Sequence, residues 1–146
     1  MRNIVNETTI KLLSRSFNES FARSAAASFV MQLDPTLDEL ADIKTAVSEA
    51  VTNSIVHGYK EKEGYITINI KITDDRTVII TVKDKGCGIE NIEQALTPLF
   101  TTGDSDRSGM GFTIMESFTD RLSVTSKKGQ GTTVKMEKKL KARYGK

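Results

Sequence analysis

The 146-residue sequence predicts an α/β two-layer sandwich, a mixed, largely antiparallel sheet with helices on one face. Two observations carry this. Helical hydrophobic periodicity fills the first 58 residues after a short strand, and two-residue alternation then marks two separate pairs of strands. Strands that come in adjacent pairs form hairpins, so the sheet is not doubly wound and its helices collect on one side.

The elements follow in order. In "TTIKLLS", Thr8 to Ser14, Ile10 and Leu12 alternate with polar neighbours, which predicts a first strand. "FNESFARSAAASFVMQL" reads as a helix with an alanine-rich centre and Asn18 as its candidate cap. It stops at Asp34-Pro35, because a proline disfavours helical backbone in the residue before it. "TLDE", Thr36 to Glu39, is a capping box that opens a longer helix. Its apolar side runs through Leu40, Ile43, Val47, Ala50, Val51 and Ile55, and Gly58 is its natural stop. "YITINIKI" places Ile66, Ile68, Ile70 and Ile72 on one face of a strand. Asp74-Asp75 turns the chain into "TVIITVKD", whose Val78, Ile80 and Val82 join that face. A short helix near Asn91 to Leu96 and a polar stretch from Thr101 to Gly111 follow. "FTIMESF" forms a further helix, and "RLSVTS" and "TTVKMEKKL" form a second hairpin around "KKGQG".

Bulk properties narrow the function classes. A single domain spans residues 1–146, with 38% hydrophobic and 27% charged residues, as in an ordinary soluble protein. A net charge of +2 gives no case for direct nucleic-acid binding, and the basic C-terminal segment reads as a solvated end. No apolar run approaches the roughly 20 residues of a membrane helix. One cysteine, Cys87, leaves neither an internal disulfide nor a zinc-ligand spacing, and the chain starts without a signal-peptide core. The expected location is the cytoplasm.

Three polar patches interrupt this ordinary pattern. In "SEAVTNSIVHG", Glu49, Asn53 and His57 recur every four residues along one helix face. Alone, such a stripe is more often solvated surface than a site. Asn53 nevertheless offers an uncharged oxygen of the kind Mg²⁺ accepts, and Glu49, one turn away, can act as a proton acceptor. In "DKGCGI", directly after a strand, Gly86 and Gly88 permit a sharp turn and close approach to a flat ligand. Asp84 there can accept a hydrogen bond from an exocyclic amine such as that of adenine. In "RSGMGFTIM", glycines at a helix start leave N–H groups for phosphate, and Arg107 adds a charge. The preceding "FTTGDSD" has the small, polar composition of a lid. Each patch by itself also fits a plain turn or loop. In sequence order they supply a base and metal ligand, an adenine reader and a phosphate cradle, the parts of nucleotide-dependent phosphoryl transfer.

E-x-x-x-N, D-x-G-x-G and a lid followed by G-x-G resemble the boxes of the GHKL superfamily, whose members share the Bergerat ATP-binding fold. "SEAVTNSIVHGY", "PLFTT" and "RSGMGFTIME" are similar more narrowly to the bacterial anti-sigma factor serine kinases, and "NESFAR" and "LDPTLDEL" point within them to those that hold the sporulation factor sigma-F. The resemblance covers roughly residues 15 to 136. It implies ATP or ADP and Mg²⁺ as cofactors, Glu49 as general base towards a serine hydroxyl, and Asn53 as metal ligand. It implies Asp84, Gly86, Gly88 and Ile89 around adenine and Thr133 near the nucleotide. Thr101, Thr102, Arg107 and Ser108 belong to the implied lid, and Gly109, Gly111 and Phe112 to the phosphate turn. Arg23 falls on the helix used for protein partners. The implied partners are a sigma factor, an anti-anti-sigma factor as phosphorylation substrate, and a second copy in a homodimer. A kinase for a general-stress sigma factor, and a nucleotide-gated sigma-binding module without kinase activity, are the alternatives. The lid is slightly shorter than in those kinases, and Cys87 fills a variable position of the glycine loop.

Overall fold

The computed structural model describes residues 2–60, 62–89 and 111–142. A strand β1, Ile4–Leu13, leads into helix α1, Phe17–Val30, and a 3₁₀ turn at Met31–Leu33. Helix α2, Leu37–Asn53, continues directly into a π-turn, Ser54–Tyr59. The hairpin β2, Tyr65–Thr73, and β3, Thr77–Asp84, follows; helix α3, Gly111–Ser117, and the hairpin β4, Arg121–Lys127, and β5, Gly131–Lys139, complete the fold. The short helix expected near Asn91 to Leu96 and the lid stretch lie outside the described residues.

The sheet order is β1-β2-β3-β5-β4. All four pairings among the described residues are antiparallel, so the mixed component of the expected sheet is not found there. Registers align the apolar positions across strands: Ile10 faces Ile68, Ile68 faces Val82, and Val82 faces Val134. This row, with Ile66, Ile70, Val78, Ile80 and Met136, meets Ala22, Ala26 and Val30 of α1 and Ile43, Ala46, Val47, Ala50 and Val51 of α2 in one core. Burying a branched aliphatic side chain is worth about 1.5–3 kcal/mol. The alternation of β2 is therefore the largest single statement the sequence makes about the sheet.

Several local expectations change. β1 begins four residues earlier than its alternation, because Asn6 to Thr9 pair along β2 although only Leu12 is fully buried. Asn18 does not cap α1: it lies inside the first turn, where its amide donates to the Leu13 carbonyl (2.9 Å). Asp34, ahead of Pro35, takes a left-handed φ of 51° and ends the first helical unit. The capping box forms in full, with Glu39 N–H donating to Thr36 Oγ1 (3.1 Å) and Thr36 N–H to Glu39 Oε1 (2.9 Å). Gly58 does not stop α2; the π-turn passes through it to Tyr59, and Lys60 takes the positive φ of 58°.

Candidate functional site

The site is built where the C-terminal end of α2 meets the ends of β3 and β5. Asp84, the last residue of β3, is 3% exposed although it carries a carboxyl group. Strand alternation turns it to the helix side with Val82, and it pairs with Thr132 of β5. Its Oδ1 accepts hydrogen bonds from Gly86 N–H (2.9 Å) and Thr132 N–H (3.3 Å). A buried carboxylate must be satisfied in this way to persist.

Glycines let three backbones close around it. A Cβ on Gly86 would lie 2.3 Å from the carbonyl carbon and oxygen of Gly58. One on Gly131, whose φ is +94°, would lie 2.2 Å from the Asp84 carbonyl oxygen. Gly58 itself faces the Asp84 carboxylate, at 3.0 Å from a Cβ to Oδ2. Gly88, with φ of +76°, presses against the carbonyl of Lys127, the last residue of β4. Hydrogen bonds fix the same loop: Cys87 N–H to the Gly58 carbonyl (2.8 Å), and Ile89 N–H to Ser126 Oγ (2.7 Å). The exposed Cys87 thiol donates to the His57 carbonyl (3.1 Å), so His57 serves this loop through its backbone.

Glu49 and Asn53 are half-buried on the last turns of α2, four residues apart. At that separation on a helix their Cβ atoms lie about 5–6 Å apart. Their helix runs directly into the π-turn that carries Gly58 to Asp84, so one continuous helical segment brings the first two sequence patches together. Among the described residues no three His, Cys, Asp or Glu side chains gather as a metal cage. Asn53 alone offers a neutral oxygen, the donor set suited to an ion that keeps waters and phosphate oxygens as its other ligands.

Thr133 is corrected. It pairs with Lys83 on the sheet face turned away from the helices, whereas Thr132 shares the Asp84 side and its hydroxyl meets Ser126 Oγ (2.8 Å). Two adjacent threonines differ by one step of a period-two strand, and only the register decides which faces inward. Gly111 opens α3, and Phe112 buries its ring in the core beside Met115. Thr101, Thr102, Arg107, Ser108 and Gly109 lie outside the described residues. Arg23 sits away from this centre on α1, 3.5 Å from Glu19, whose carboxylate also accepts the Ser48 hydroxyl (2.8 Å). Sequence reading passed over Thr132, Ser126 and Gly131; the run G-T-T at a strand start was the available clue for two of them.

Residues 17–138 match the histidine kinase-like ATPase domain. The chain belongs to that family. Within it, the sequence is 57% identical over 137 residues to the anti-sigma F factor of Clostridium beijerinckii, covering 92% of this chain and 95% of the relative. It is 55% identical over 134 residues to the anti-sigma F factor of Caldanaerobacter subterraneus, covering 91% and 93%. Among solved structures, the RsbU and RsbW domains of a Mycobacterium tuberculosis protein superpose with a TM-score of 0.69 at 20% identity, over 93% of this chain and 33% of that one. The mycobacterial sensor histidine kinase MprB gives a TM-score of 0.56 at 12% identity, over 93% and 100%. At those identities the structural likeness speaks for the fold.

Proposed function

We propose that this chain is an anti-sigma factor and an ATP-dependent protein serine kinase: it holds a sporulation sigma factor, sigma-F, and phosphorylates the anti-anti-sigma protein that competes for it. The observation that carries the reading is the buried Asp84 carboxylate, seated among close-packed glycines at the end of the helix bearing Glu49 and Asn53. A buried acceptor at the base of a glycine loop suits the amine edge of adenine. The names of its relatives, anti-sigma F factors at 53–57% identity, supply the sigma-factor side.

The roles follow from position. Asp84 accepts the adenine amine, and Gly86, Gly88 and Ile89 wall the ring. Asn53 would hold Mg²⁺, which would supply charge neutralisation for the phosphates. Glu49 takes the proton of the attacking serine hydroxyl as its oxygen bonds to phosphorus. The bond from phosphorus to the bridging oxygen breaks, and ADP leaves with that electron pair. The phosphoserine brings about −1.5 to −2 charges to the interface, so the product lets go. Thr101, Thr102, Arg107, Ser108, Gly109 and Gly111 are assigned to phosphate binding and Arg23 to the protein partner, and the working form is a homodimer in the cytoplasm.

The test is a pull-down from a sporulating culture with the chain held in ATP and then in ADP, followed by mass spectrometry. A sigma factor retained with ATP and an anti-anti-sigma protein favoured with ADP support the reading. The same partners in both nucleotide states would overturn it.

A further inference from the structure

The π-turn ends in Tyr59, a residue to which none of the assigned roles extends. Its hydroxyl accepts the Lys85 N–H (2.8 Å) and donates to the Tyr65 carbonyl at the start of β2. Its ring packs against Gly64, where a Cβ would meet Cε1 at 2.3 Å. Tyr59 is half-buried and packs against the main core. One side chain thus ties together the end of the helical segment, the first residue of β2 and the residue directly after Asp84. A phenol can donate and accept at once, so both backbone groups are satisfied by a single oxygen.

Lys85 lies between Asp84, the last residue of β3, and Gly86, packed against Gly58. Without the Tyr59 hydroxyl, the peptide joining Asp84 to Lys85 loses the acceptor for its N–H. From this we infer that Tyr59 is a positioning residue for the loop that presents Asp84, and through it sets discrimination between adenine and other bases. The second half rests on the nucleotide-site reading above; the first does not. Tyr59 acts through Lys85 and Asp84 and need not touch the ligand.

Tyr59→Phe keeps the ring against Gly64 and removes only the hydroxyl. Amide hydrogen exchange of the unliganded protein and titration with ATP and GTP measure the two halves. The Lys85 amide is expected to exchange about tenfold faster in the variant, the scale of one lost hydrogen bond. ATP affinity is expected to fall about five- to tenfold while GTP affinity changes little, so their ratio shrinks. Unchanged Lys85 exchange and an unchanged ratio, even with a lower melting temperature, would reduce Tyr59 to core packing and overturn the inference. A wild-type chain that shows no preference for ATP would instead sink the adenine reading and with it the claim on discrimination, and Lys85 exchange would still decide whether Tyr59 holds the loop.

Discussion

Where Gly58 and Gly86 meet, one backbone lies against another with no room for a methyl group. Gly86→Ala forces its Cβ into the Gly58 carbonyl, which neither the π-turn nor the strand end can move aside cheaply. Overpacking of this kind costs about 1–3 kcal/mol, and the thermal midpoint and ATP affinity should fall together. Glu49→Gln behaves differently, because it keeps the side chain's size and removes its negative charge and its basic oxygen. ATP binding should persist while serine phosphorylation drops about 10²- to 10⁴-fold in a single-turnover assay. Asn53→Ala should instead weaken nucleotide binding in the presence of Mg²⁺ and leave metal-free binding close to wild type, as read by calorimetry with and without the ion. At this scale the sequence was informative about residue type and weak on facing. It marked Asp84 through its glycine neighbours, yet chose Thr133 over Thr132, since identical neighbours carry no clue to which one the β3 register turns inward.

Among the elements, the start of α2 bears the most unusual charge. Glu39 is 7% exposed, while Leu37 and Leu40, its apolar neighbours, are exposed or half-buried. Burial raises its pKa, but N–H donors from Thr36 and Lys141, the Thr36 hydroxyl and the nearby Arg76 charge together hold it below its ordinary 4.5. One oxygen closes the capping box and the other accepts the Lys141 N–H (2.7 Å) just after β5. Arg76, with a left-handed φ of 68°, donates from Nε to the Lys141 carbonyl (3.1 Å), so helix, hairpin turn and final strand share one clasp. Since the folded pKa is depressed, the ionised Glu39 contributes stability that is complete above the unfolded value and lost as pH falls through the folded one. Glu39→Gln should therefore cost about 1–2 kcal/mol in urea unfolding at pH 7, with the gap to wild type closing as pH drops below about 4.5. "TLDE" announced the box from sequence, because a cap is local; the contact from Lys141 spans 102 residues and no local pattern encodes it. The π-turn was illegible for a similar reason. Gly58 looks like a helix stop until Asp84 and Gly86 are placed beside it.

For the whole molecule, the sheet and helices divide the labour. One sheet face packs the helices and carries Asp84, while Lys11, Thr67, Lys83, Thr133 and Thr125 form a register row on the other. α1 exposes Phe17 and Phe21, whereas Arg23 is half-buried beside Glu19. No helix among the described residues is long and apolar enough to cross a membrane. Hydrophobic periodicity disclosed nearly all of this layering, since alternation and helical spacing are set by burial itself. Which strand neighbours which was less accessible: β5 inserts between β3 and β4, and hairpin patterns alone do not say how two hairpins join. The central claim is that the Asp84 cradle and the Glu49–Asn53 helix together make a kinase. Its most direct measurement is transfer of label from γ-³²P ATP to purified anti-anti-sigma protein, with wild type and Glu49→Gln side by side. Label on a partner serine is expected with wild type, and at least about a hundredfold less with the variant. Bound ATP with no label on the partner, or equal labelling by both proteins, would contradict it.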